Sequence, residues 1–153
     1  MALLSACKKG IEEPAVGDRF GYYAIDTNRF NFTMAGASLF NGGYQLFGKQ
    51  APGDTLQQYL TVFFPQRPAD GVYSIVNHVG YQPGLGKASM QLIRYPQGGS
   101  PVTYNSNEGG QINVSHNGDK LFATWGSSSL TKLSTGSPGS TKIFKVSGIV
   151  REP

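Results

Sequence analysis

Hydrophobic and polar positions alternate along this chain with a period of two, and no stretch keeps the period of an amphipathic helix. Phe30, Phe32 and Met34 are set to face one way and Asn31, Thr33 and Ala35 the other, the signature of a half-buried strand. Tyr59 to Phe64 is apolar on both faces apart from Thr61, which predicts a central strand covered on both sides. Pro65 ends that run, because proline cannot donate into a ladder. Asp70-Gly71 before Val72-Tyr73-Ser74-Ile75-Val76 is a turn leading into a strand. Strands are predicted at 19–25, 30–40, 44–49, 57–64, 71–77, 87–95, 101–105, 110–116, 120–125 and 142–150.

Asn117-Gly118 accepts positive φ at both positions and so predicts a two-residue type I′ hairpin. That turn would pair His116 with Asp119, Ser115 with Lys120, Val114 with Leu121, Asn113 with Phe122 and Ile112 with Ala123. Continued outward, it sets Trp125 opposite Gly110, on the face of Ile112, Val114 and Leu121, so the only tryptophan is expected in the core with the glycine making room.

About ten short strands in one small domain imply two packed antiparallel sheets, a β-sandwich, because a single open sheet of that size would curl or split. A closed up-and-down β-barrel is the alternative. The longest irregular stretches are 78–86 and 126–141. Composition agrees: 153 residues with 21 glycines, 9 prolines and 14% charged residues suit strands and tight turns. A domain of this length buries about 68 to 70% of its unfolded surface, enough for a core without disulfides. No apolar run reaches the ~18 residues of a membrane-spanning helix. The net charge of +4 is scattered, with Lys8 and Lys9 the only adjacent basic pair, so the basic stripe of a nucleic-acid binder is lacking.

Catalytic chemistry finds little support. His78 and His116 are the only neutral-pH acid–base candidates, neither has metal-ligand spacing, and no Gly-x-Ser-x-Gly turn occurs. Most carboxylates outside the first 18 residues, among them Asp26, Asp54, Asp70, Glu108 and Asp119, stand in turn sequences. No catalytic residue, metal or cofactor is assigned. Tyrosine is the better lead, since its ring is apolar and its tip polar. Tyr81 is singled out because it lies in a Gly-Pro-rich loop, and Tyr95 and His78 complete the candidate ligand-binding set.

The single cysteine, Cys7, follows Leu4, Ser5 and Ala6, a run that resembles a bacterial lipobox, in which the cysteine receives the lipid. Only Met1 to Leu4 stand where a charged and then an apolar signal region belong, so the signal is expected to be incomplete. Residues 1–6 are read as a residual signal segment, 7–17 as a flexible lipidated tether and 18–153 as one β-sandwich domain. The lipobox, the tether and three strand motifs resemble the small β-sandwich lipoproteins of Bacteroidetes cell envelopes, a group of unknown function. Those motifs are Gly71-Val72-Tyr73-Ser74, Gly110-Gln111-Ile112-Asn113-Val114 and Lys145-Val146-Ser147-Gly148-Ile149-Val150. The resemblance implies attachment to the outer membrane through the lipid on Cys7, at its periplasmic face or the cell surface. Lys8 and Lys9 precede Glu12 and Glu13, a departure from the surface-export signal of some relatives. The expected function is a non-enzymatic binding or assembly module for a glycan or envelope protein. The alternatives are a secreted hydrolase of carbohydrate or peptide, and a carrier of hydrophobic ligands.

Overall fold

The computed structural model describes residues 19–50, 56–79, 83–96, 99–133 and 143–153. These form eleven strands and no helix: β1 Gly21–Ile25, β2 Asn28–Asn31, β3 Met34–Phe40, β4 Gly43–Gln50, β5 Leu56–Phe64, β6 Gly71–Ile75, β7 Lys87–Pro96, β8 Val102–Ser106, β9 Gln111–Asn117, β10 Lys120–Lys132 and β11 Ile143–Arg151. The protein is all-β, as the period-two pattern requires.

Hydrogen bonding follows one path, β2-β1-β11-β10-β9-β6-β7-β5-β4-β3, and β8 bridges β7 and β10. The path folds back on itself. Phe30 on β2 lies under the Arg94 guanidinium of β7, the Phe32 ring lies against Gly48 of β4, and Thr33 donates its amide to the Lys49 carbonyl at 2.9 Å. The β2–β1–β11 flank therefore covers the β7–β5–β4–β3 flank as in a sandwich, while β6 and β8 join the two layers into a partial ring. Between the layers lies one core of alternate residues, with Tyr23, Leu46, Leu60, Val62, Met90, Leu92, Ile112, Leu121, Leu130 and Val146 among its fully buried members. All pairings are antiparallel except β6 with β7, where Ser74 and Ile75 run parallel to Lys87 and Ala88.

Local turn chemistry explains most connections. Asn41 and Gly42 both have positive φ, 49° and 79°, and join the paired residues Phe40 and Gly43, the arrangement of a type I′ turn. The β9–β10 hairpin uses a different turn from the expected one. Asn117 pairs with Lys120, so the two loop residues are Gly118 and Asp119, and only Gly118 has positive φ, 64°, as in a type II′ turn. Arg67 Nη2 holds the tip there through a 2.6 Å hydrogen bond to the Asp119 carbonyl.

Each residue of β10 consequently meets a partner two positions from the expected one: Ala123 faces Val114, and Leu121 faces His116. A shift of two keeps every side chain on its face. Ile112, Val114, Leu121, Ala123 and Trp125 are all buried, as expected. The glycine that makes room for Trp125 is Gly148 on β11, its direct partner, where an added Cβ would sit 2.8 Å from the indole Cζ2. Gly110 instead lies against the backbone of a bulge, with an added Cβ 2.9 Å from the Ser127 carbonyl oxygen.

Three further expectations are corrected. The run 30–40 is two strands, because the chain crosses between layers at Phe32 and Thr33; the alternation flips there, leaving Met34 51% exposed and Ala35 buried. Residues 126–132, expected as loop, continue β10 past the bulge to pair with β11 and β8. Tyr59, Thr61 and Phe63 are half-buried, so β5 is central by its hydrogen bonds but covered fully on only one face.

The chain end is pinned to the hairpin. The Glu152 carboxylate accepts from the Leu121 amide at 2.8 Å, from Arg67 Nη2 at 2.9 Å and from the Tyr44 hydroxyl. Burial, and then that contact with Glu152, push the Tyr44 hydroxyl well above its usual range, so it remains a donor.

Candidate functional site

In β3, β4, β5, β7 and β8 the residues between the core positions point outward from one layer, and the register aligns them in rows. One row runs Met34, Lys49, Tyr59, Ile93, Thr103; the next Gly36, Phe47, Thr61, Gln91, Asn105, with Thr131 of β10 beyond; a third Ser38, Gln45, Phe63, Ser89. Lys49 is the only charged side chain in the three rows.

Aromatic rings occupy several neighbouring points of this lattice. Tyr59 and Tyr95 meet edge to face at 5.6 Å, and the Lys49 ammonium lies 4.9 Å from the Tyr59 ring centre. Phe47 covers Gly36, where any Cβ would overlap the ring. Phe63 stacks on His78 at 4.6 Å and approaches Phe40 at 6.4 Å. Between these groups runs a polar strip in which Gln91 Nε2 donates to Asn105 Oδ1 at 3.1 Å and Asn107 Nδ2 to Thr131 Oγ1 at 2.6 Å. Met34, Phe40 and Tyr95 are the exposed large hydrophobic side chains of the face.

His78 and Tyr95 thus share a surface, but not a pocket. His78 packs at the Ser89 end of β7, and Tyr95 stands six residues along the same strand, roughly 20 Å away at ~3.3 Å per residue. Tyr81 and Cys7 lie outside the described residues. Alternation alone could have found Phe47, Phe63 and Gln91, but the apolar run of β5 reads as covered on both faces, and this hides its open side.

His78 Nδ1 lies 2.9 Å from Ser89 Oγ, and Asn105 Nδ2 donates to the His78 carbonyl at 3.2 Å. Burial lowers the His78 pKa, so the ring is neutral at pH 7. This is not the geometry of a working nucleophile. Ser89 is 1% exposed, and no hydrogen bond or ion pair joins His78 to a carboxylate among the described residues. His116 Nδ1 is paired with the exposed Asp70 carboxylate beyond the hairpin. Among the described residues no group of three His, Cys, Asp or Glu side chains could hold a metal.

A separate open cleft of about 750 Å³ lies where β6, β9 and the β10 bulge meet, lined by Ser74, Lys87, Glu108, Gln111 and Asn113 among others. Glu108 is the one carboxylate that lines it among the described residues, so these do not form the pair that glycoside hydrolysis uses. Comparison with protein-family models, with curated proteins and with solved structures finds no match.

Proposed function

We propose that this protein is a cell-envelope lipoprotein of the outer membrane, anchored through Cys7, whose β domain is a non-enzymatic module that binds a neutral glycan on the outer face of the β3–β4–β5–β7–β8 layer. The observation that carries this reading is the composition of the three rows: aromatic rings, amides and hydroxyls with the single charge of Lys49. Rings offer flat apolar surface to the C–H faces of sugars, and Gln91, Asn105, Thr61 and Gln45 offer donors and acceptors to their hydroxyls. A nucleic acid or acidic polymer would call for clustered cations instead. Leu4-Ser5-Ala6-Cys7 supports the anchor.

The hydrolase reading has less behind it, because the Ser89–His78 pair is buried and the described residues that line the cleft include one carboxylate. The test is affinity electrophoresis through gels containing neutral polysaccharides, followed by titration of the best binder. Tyr95→Ala and Tyr59→Ala should each weaken binding by roughly fivefold to tenfold, on the order of 1 kcal/mol for a lost ring contact. A wild-type chain retarded by no neutral polysaccharide, but capturing an envelope protein, would transfer the same face to a protein partner.

A further inference from the structure

Among the buried side-chain atoms without a hydrogen-bond partner are the Tyr23 hydroxyl, Gln58 Oε1 and Arg94 Nε, which strand register and ring contacts place near one another. Gln58 and Arg94 are direct partners across β5 and β7. The Arg94 guanidinium lies 5.5 Å from the Phe30 ring centre, and Phe30 stacks on Tyr23 at 4.8 Å. Tyr23 is 0% and Gln58 1% exposed, while Arg94 is partly open, so the group sits at a mouth of the core. Buried polar atoms are nearly always paired, and orphans on Tyr23 and Arg94, which flank the Phe30 ring, and on Gln58, the strand partner of Arg94, call for an explanation.

The chemistry narrows what would complete them. Arg94 has no carboxylate within ion-pair distance among the described residues; the Glu152 and Asp70 carboxylates are taken by Arg67 and His116. Water could satisfy the hydrogen bonds, but it would leave the guanidinium charge unbalanced in a poorly solvated place. The Tyr23 hydroxyl is held neutral by burial, which pushes its pKa up, so it is available as a donor. Gln58 Nε2 donates to Gln50 Oε1 at 2.9 Å, and the two amides can exchange roles: with both turned over, Gln50 donates and Gln58 Nε2 faces the orphan group. The cluster then offers one cation and three donors to a small monoanion with two acceptor oxygens.

We propose that Arg94, Tyr23 and Gln58 form a recognition point for a carboxylate, either a small free acid or the head of an acyl chain. This site is on the opposite side of the β5–β7 layer from the glycan face, and neither proposal depends on the other.

The experiment measures thermal unfolding of the full chain by differential scanning calorimetry in sodium acetate and in sodium octanoate, against sodium chloride of equal ionic strength. A carboxylate that binds only the folded state raises the midpoint with concentration. The expected result is such a rise for at least one carboxylate, abolished in Arg94→Gln and, in Tyr23→Phe, shifted to about tenfold higher ligand concentration. Octanoate acting at tenfold or more lower concentration than acetate assigns an acyl chain; equal potency assigns a free small acid. No rise with either salt in the wild type overturns the proposal, as does an unchanged response in both variants. Should Arg94→Gln fail to fold, Tyr23→Phe decides alone.

Discussion

His78 takes its character from what covers it. Its ring lies on Phe63, Nδ1 meets Ser89 Oγ, and burial lowers its pKa below the ordinary 6.5. Between the lowered folded pKa and the unfolded value near 6.5 the unfolded chain binds more protons, so stability falls as pH drops through that window. Urea midpoints measured at pH 7.5 and pH 5.5 should fall with acid in the wild type and fall less in His78→Asn. An identical pH response in the two proteins would show that His78 does not carry the effect. Trp125 is the complementary case. Its burial follows from alternation along β10, whereas its accommodation by Gly148 depends on β11, which alternation in a single strand does not locate.

At the scale of elements, the β9–β10 hairpin shows local preference adjusted by tertiary contact. Asn117-Gly118 is a turn sequence, yet the loop settles on Gly118-Asp119, where Arg67 meets the Asp119 carbonyl and Glu152 takes the Leu121 amide. Glu152→Ala removes the acceptor shared by Leu121, Arg67 and Tyr44, leaving a half-buried N–H unpaired. The expected cost is about 1–3 kcal/mol, read as a lower urea midpoint at unchanged m-value. An unchanged midpoint would mean that the clasp is dispensable. The bulge after Trp125 has the same lesson: it lets one long strand serve β9 before it and β8 after it, and turn residues did not announce it.

At the scale of the whole molecule, two layers share a core while one of them keeps a broad, nearly uncharged outer face. A lipid on Cys7 would hold that face at a membrane surface. Placed behind an intact lipoprotein signal peptide, the protein should incorporate labelled palmitate in a bacterial host, and Cys7→Ser should lose the label. Label retained by Cys7→Ser would remove the anchor from the proposed function and leave the binding face standing.

Strand content, most strand positions and much of the core were legible locally, because a pleated backbone sends alternate side chains to opposite faces and Gly, Pro, Asn and Asp mark where chains turn. Burial of Ile112, Val114, Leu121 and Trp125 followed from that alone. The partner of each strand, the crossing at Phe32 and the parallel meeting of β6 with β7 were decided by contacts between segments distant in the chain. The candidate sites belong to that second kind. Tyr59 stands beside Ile93 and Lys49, and Arg94 beside Gln58 and Phe30, only because register and layer packing put them there. A period of two says which residues share a face of one strand; it carries no information about which strand lies alongside.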